Sequence, residues 1–279
     1  LSKKKKIRSL NKQAVARIIE YSSRLAEDSE KYSDEVYFTA NDQNGSWDTS
    51  SATVVTLDGD SAKISGGGAY AYDGNVVISS AGTYVVSGTL NDGSLTVDAY
   101  NSSKVWILLD GADISCADDA CIRVDQADKV FLTLAEGSVN TLHSGAVYSG
   151  TALETGTNGA IFAQDDLTIN GSGALNITAE YKHGISANDD LVITGGNISV
   201  TSAKDAINAN DSVRIRDAKI TLDASDDGIV TSKENSYIYI ESGTIAITSA
   251  DDGIHSAGDV NFAGGSLMIA AEEDGIHSD

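Results

Sequence analysis

Asp251-Asp252-Gly253-Ile254-His255-Ser256 returns as Glu273-Asp274-Gly275-Ile276-His277-Ser278. Looser copies stand upstream at Asp226-Asp227-Gly228-Ile229, Lys204-Asp205-Ala206-Ile207, Lys182-His183-Gly184-Ile185 and Asn158-Gly159-Ala160-Ile161. From Ile161 through Ile185, Ile207, Ile229 and Ile254 to Ile276 the steps are 24, 22, 22, 25 and 22 residues. A near-constant interval of this size marks a solenoid, in which each repeat buries its apolar face only against its neighbours.

Between the isoleucines lies a second recurring phrase, spelled at residues 190–200 and again at 212–222, 236–247 and 259–269. In it Leu191 and Ile193, then Ile198 and Val200, alternate with polar residues around a glycine turn, the period of strands with one face in a core. A repeat of about 22 residues holding three strands has no room for a crossover helix, so like strands must stack on like. The expected fold is all-β: a right-handed parallel β-helix of roughly nine coils with three short strands each. The same grammar runs upstream through residues 75–86, 104–114 and 129–142. One column is read as opening every second strand: Val76, Val105, Val130, Leu167, Leu191, Val213, Ile238 and Val260. The step of 37 from Val130 to Leu167 predicts an insertion within residues 143–158, whose Gly, Ser and Thr suit a loop.

The composition fits this reading. Of 279 residues 41% are hydrophobic, enough for a sizeable core, and the absence of proline suits a chain whose backbone N–H groups are needed by ladders. The net charge is −22. Residues 1–35 hold 9 of the 19 Lys+Arg and 6 of the 41 Asp+Glu, so the remainder carries 10 against 35. Such a surface repels nucleic acid and anionic lipid and attracts cations. No run approaches the 18 apolar residues of a membrane span, and no apolar leader is spelled, although a start at Leu1 rather than Met leaves room for a removed one. Cys116 and Cys121 fit either a local disulfide or two small core residues.

Residues 1–35 read as a separate segment. A basic run at 3–6 precedes Ala14, Val15, Ile18, Ile19, Tyr21 and Leu25 at helical spacing, which predicts an amphipathic helix able to cover the open edge of the β-helix. Ala14-Val15-Ala16-Arg17-Ile18-Ile19-Glu20-Tyr21 resembles a helix from the lid region of Lon-type ATPases; no nucleotide-binding loop accompanies it, so the resemblance implies a fused or a chance segment rather than an ATPase. Residues 36–279 form the β-helix domain. Asp279 falls in mid-coil, so the protein is expected to continue beyond it.

Ahead of each isoleucine stands a small residue, and ahead of that His183, Asp205, Asp227, Asp252 and Asp274, preceded in turn by Lys182, Lys204, Asp226, Asp251 and Glu273. Stacked coils put equivalent residues roughly 4.8 Å apart. Two unit charges at that spacing repel by roughly 3 kcal/mol at an effective dielectric near 20. Calcium would relieve the strain, because it accepts six to eight oxygens from irregular mixtures of carboxylates. Candidate cages are Asp205/Asp226/Asp227, Asp227/Asp251/Asp252 and Asp252/Glu273/Asp274. The competing reading is that each Asp caps backbone N–H groups in its turn, which accounts for one Asp per coil and poorly for a doubled one. For Asp165, Asp166, Asp189, Asp190, Asp211 and Asp259, at the next turn of the coil, capping is the preferred reading. His255 and His277 should stack on a sheet face rather than complete a metal cage.

The Asp-Asp-Gly-Ile phrases, the run Asp165-Asp166-Leu167-Thr168-Ile169-Asn170-Gly171-Ser172-Gly173 and the opening Phe38-Thr39-Ala40-Asn41-Asp42-Gln43 resemble a bacterial surface family of calcium-binding, carbohydrate-binding β-helix proteins. That family is similar in fold to family 9 pectate lyases. The resemblance implies an extracellular or cell-surface location, calcium at Asp205, Asp226, Asp227, Asp251, Asp252, Glu273 and Asp274, and a plant polysaccharide partner, acidic or neutral. Polygalacturonate and cellulose are the glycans associated with the family. It supplies no motif for sugar contacts, for which Trp47, Tyr70, Tyr72, Tyr181 and Tyr237 are the aromatic candidates. Three functions follow. A non-catalytic binder would use calcium to bridge carboxylates. A calcium-dependent lyase would need a base, Lys204 being better placed than Lys182 or Lys233. A structural adhesin or stalk would need no site.

Overall fold

The computed structural model describes residues 37–279, all but one short helix of it strand and turn. The predicted N-terminal amphipathic helix lies outside the described residues. The strands wind as a parallel β-solenoid with three faces. The first is a 10-stranded sheet running from Ala69–Tyr72 to Ile276–Ser278; the second and third belong to one 16-stranded sheet. Eight full turns run from Asn75–Ile78 to Ser266–Ile269, and Ile276–Ser278 opens a ninth, one turn short of the nine expected. In the first two turns the second and third strands are fused into single long strands, Gly82–Leu90 and Lys104–Cys116, so three short strands hold only from the third turn onward.

The isoleucine ruler is the register of the first face. Ile161, Ile185, Ile207, Ile229, Ile254 and Ile276 are partners in sequence, and the column continues upstream through Ile122 and Leu95 to Val76. Val76 therefore belongs to this column and not to the one opening the second strand, where Gly82 stands beside Val105. From Val76 to Ile254 the column is fully buried, each side chain contributing about 1.5–3 kcal/mol of burial. The small residue before each isoleucine is required by the next turn: a Cβ at Gly228 would lie 2.4 Å from the Gly253 carbonyl oxygen and 2.8 Å from Ile247 Cδ1.

The expected insertion is present and carries the short helix Gly150–Glu154. Tyr148 anchors it from within, its hydroxyl donating to the Gly159 carbonyl at 3.0 Å. At the other end of the solenoid the chain doubles back, Ala62–Ser65 pairing antiparallel with Thr53–Gly59 and Ala69–Tyr72 with Asn75–Ile78. These turned-back strands flank the first turns, where parallel strands would otherwise offer open edges.

Residues 38–51 form a strap over the outward side of the second face. Asp42, buried, accepts from Thr168 Oγ1 at 2.7 Å and pairs with Lys129 Nζ at 2.9 Å, while its carbonyl takes Asn170 Nδ2 at 3.1 Å. Phe38 packs on Tyr239 under the Arg216 guanidinium. Trp47 is held here by its indole N–H on Thr133 Oγ1 at 3.0 Å, which ties one sugar-platform candidate to the strap. Cys116 and Cys121 are both free thiols in the core, with burial pushing Cys116 up to about 11 and Cys121 further up.

Candidate metal-binding ladder

The acidic columns border the strands of the first face. Their inner members, Asp205, Asp227 and Asp252, repeat one contact. Asp227 Oδ1 accepts the backbone N–H of Asp252 at 2.9 Å, Asp252 Oδ1 accepts that of Asp274 at 2.8 Å, and Asp205 Oδ1 faces that of Asp227 at 3.5 Å. The second oxygen of each carboxylate meets an imidazole: His183 Nδ1 lies 3.1 Å from Asp205, His255 Nδ1 3.4 Å from Asp227 and His277 Nδ1 3.2 Å from Asp252. The inner column thus caps the following turn. The sequence pattern contained this reading but did not favour it, and it missed the histidine half of each contact.

The outer column stands further out, Asp226 half-exposed and Asp251 and Glu273 exposed. Among the described residues its one cationic partner is Lys204, whose Nζ lies 3.0 Å from Asp226 Oδ2 and 3.7 Å from Asp205 Oδ1. Burial would lower the Lys204 pKa, but Asp226 and Asp205 outweigh it and raise it. Burial would also raise Asp205; bonds and charge from His183, with Asn208 and Lys204 behind, hold it below the usual carboxylate range. Asp227 moves the other way, pushed up by burial and by Asp205 and Asp226.

Among the described residues, one set of the expected ligands converges: Asp205, Asp226 and Asp227 bring one carboxylate oxygen each within 4.8 Å of one another. Three carboxylates and no soft donor form a set suited to a hard cation such as Ca²⁺. Asp227/Asp251/Asp252 and Asp252/Glu273/Asp274 do not meet in this way. Asp252 instead gathers His255 and His277, whose rings stack at 4.6 Å and 5°.

Four of the second acidic set, Asp165, Asp166, Asp190 and Asp211, are engaged within the fold. Asp165 Oδ2 accepts the Ala127 N–H at 2.9 Å, Asp166 Oδ1 accepts the Asp190 N–H at 3.3 Å, and Asp190 binds Ser212 and Arg214. Lys233 is ion-paired with Asp211. Of the aromatic candidates, Tyr181 packs on Tyr148 beneath Lys182, whereas Tyr70 and Tyr72 remain exposed.

A family model described as carbohydrate-binding domain-containing protein matches residues 72–279. A protein of that description from Acetivibrio thermocellus is 38% identical over 126 residues, 45% of this chain, and the match spans 44% of the relative's own length. A solved structure described as the polysaccharide lyase-like protein from C. thermocellum, gadolinium derivative, superposes with a TM-score of 0.79 at 31% identity, covering 82% of this chain and 94% of that one. Residues 9–36 match a model of the archaeal LonB AAA+ ATPase LID domain, the segment whose resemblance the sequence displays. With residues 72–279 matched along eight solenoid turns, the chain belongs to the carbohydrate-binding domain-containing family, on a parallel β-helix.

Proposed function

We propose that this protein binds plant cell-wall polysaccharide without cleaving it, holding a calcium ion at Asp205, Asp226 and Asp227. The ion would bridge the acidic surface to uronate carboxylates, as in polygalacturonate. The observation that carries this reading is the convergence of those three carboxylates on an otherwise repetitive face. Without a cation, a protein of net charge −22 and a polyuronate repel each other. The related structure from C. thermocellum is described as a gadolinium derivative, and gadolinium, like calcium, is a hard cation that prefers oxygen ligands. A polymer of the cell wall would be met outside the cell or at its surface.

The related structure is also described as polysaccharide lyase-like, which keeps a lyase as the second reading. Elimination needs a base free to take a proton. Lys204, the best-placed candidate, instead donates to Asp226 and Asp205, two of the carboxylates that would hold the ion. This geometry supports binding over cleavage.

Calcium titration of chelator-stripped protein by calorimetry tests the site, followed by affinity electrophoresis in polygalacturonate with and without Ca²⁺. Asp226→Asn is the informative variant, because Asp226 is half-exposed and its carboxylate makes no backbone bond among the described contacts. Saturable calcium binding weakened by Asp226→Asn, with calcium-dependent retardation, supports the proposal. Absence of calcium binding, or binding indifferent to Asp226, overturns it, and release of unsaturated uronides, which absorb in the ultraviolet, would favour the lyase.

A further inference from the structure

On the same first face, but over its earliest turns, lies a groove of about 450 Å³. Its floor is the outward column Val77, Thr96 and Arg123, consecutive register partners. The turned-back strand Ala69–Tyr72 extends this floor at the end of the sheet, Tyr70 being the register partner of Val77, and presents Tyr70 and Tyr72; residues two apart on a strand share a face, roughly 6.6 Å from each other. Ser149, Gly150 and Thr151 of the insertion supply a further stretch of the lining. Two departures from the repeat, the antiparallel strand and the insertion, thus contribute to the lining of the groove.

Its chemistry is selective. Asp73, Asp92, Asp98, Asp118, Asp119 and Asp125 line it against Arg123 alone. Arg123 is buried and committed: Nε bonds Asp125 Oδ1 at 2.8 Å, Nη2 bonds Asp125 Oδ2 at 3.1 Å, and Nη1 bonds Asp119. Among the described residues no cation remains there for an anionic ligand, whereas carboxylates and hydroxyls suit the hydroxyl groups of a neutral sugar. Ser94, 2% exposed, also lines the groove, and its Oγ has no hydrogen-bond partner among the described residues. An unpaired buried polar atom in a cleft of ligand size, beside two exposed aromatic rings, is what a binding cleft looks like before it is filled.

We infer that this groove binds a neutral glycan chain, with Tyr70 and Tyr72 as platforms for its sugar rings, independently of calcium. The inference rests on the carbohydrate-binding reading of the chain but not on its calcium site. Four strand spacings, roughly 19 Å, separate the Thr96 strand from the Asn208 strand beside Asp205, so the two sites can be tested apart.

The test is calorimetry of the full chain in chelator with neutral hexasaccharides of β-1,4-linked glucose, xylose and mannose, and with a galacturonate oligomer. Expected is binding of at least one neutral hexamer, unchanged by Asp226→Asn and by added Ca²⁺, with no binding of the galacturonate oligomer in chelator. Tyr70→Ala with Tyr72→Ala should weaken the neutral hexamer by about tenfold or more, and Tyr70→Phe with Tyr72→Phe should restore it, since the ring and not the hydroxyl carries the contact. No neutral hexamer bound, binding that requires calcium, or binding indifferent to the Ala pair overturns the inference. Failure of calcium binding alone would sink the bridging proposal and leave this one standing.

Discussion

Asp227 accepts the backbone N–H of Asp252 through Oδ1 while its Oδ2 faces His255 Nδ1, so one carboxylate fastens two points of the following turn. The same carboxylate is pushed above its usual pKa by burial and by Asp205 and Asp226. Removing the acceptor and removing the charge should therefore have different effects. Asp227→Ala leaves a partly buried N–H without its partner, at a cost of about 1–3 kcal/mol. Asp227→Asn keeps an acceptor oxygen and relieves the repulsion, so in chelator it should match or exceed the parent stability. Urea unfolding of both variants checks this; equal losses would show that the charge, not the cap, is what matters at this position.

Lys204 stands where a calcium ion would compete with it. Its ammonium neutralises part of the Asp205/Asp226/Asp227 set, and it is half-exposed, so it can swing out when a stronger cation arrives. Lys204→Gln should tighten calcium binding several-fold in the titration. It should also lower stability slightly in chelator, because half-exposed ion pairs contribute only about 0–1 kcal/mol. A weaker calcium response in Lys204→Gln would mean that the lysine helps to build the site rather than to occupy it.

The parts of the fold legible in the sequence are those that repeat locally. Ile185, Ile207 and Ile229 announce their register by spacing alone. Upstream the same column is spelled Ile122, Leu95 and Val76 at uneven steps, because the insertion and the fused strands change the turn lengths, and the spelling of Val76 alone therefore points to the wrong column. The strap was hidden because Asp42 meets partners more than a hundred residues away. One local trace of it exists: Val130-Phe131-Leu132 and Leu191-Val192-Ile193 are unbroken apolar runs, and Phe131 and Val192 are buried although they alternate with the core residues. Strands apolar on both sides are strands covered on both sides. In the acidic ladder the carboxylate columns were legible. The shared imidazoles were not, since each joins an Asp to a His one full turn away, before it for Asp205 and after it for Asp227 and Asp252.

The strap gives a further prediction. Asp42→Ala would strip Thr168 and Lys129 of a buried acceptor and unfasten residues 38–51 from the second face. Breaking a buried ion pair from one side costs about 3–5 kcal/mol. Because solenoid turns draw their stability from their neighbours, the strands should persist while the strap loosens. Far-UV circular dichroism should stay near the parent while Trp47 emission shifts to the red, with Trp47→Phe assigning the signal between the 2 tryptophans. Unchanged Trp47 emission would mean that the aromatic contacts hold the strap without Asp42.

Acid should weaken the fold through specific carboxylates. Asp205 titrates below its ordinary 3.8, burial being outweighed by His183, Asn208 and Lys204, and Asp42 does so against its own burial through Thr39, Thr168 and Lys129. A depressed folded-state pKa contributes stability that is fully present above the unfolded value and is lost as pH falls through the folded one. Asp227, raised, works in the opposite sense and regains stability as it is protonated. In chelator the parent should therefore lose stability from about pH 4 downward, by less than Asp205 and Asp42 alone would dictate. Asp205→Asn should be less stable than the parent at pH 5, and the gap should close as the pH falls through the lowered Asp205 value, where the parent's Asp205 is protonated as well. Urea midpoints at half-unit steps from pH 5.5 to about 2.5 would measure it; a gap that stays constant with pH would assign Asp205 a packing role in place of an electrostatic one.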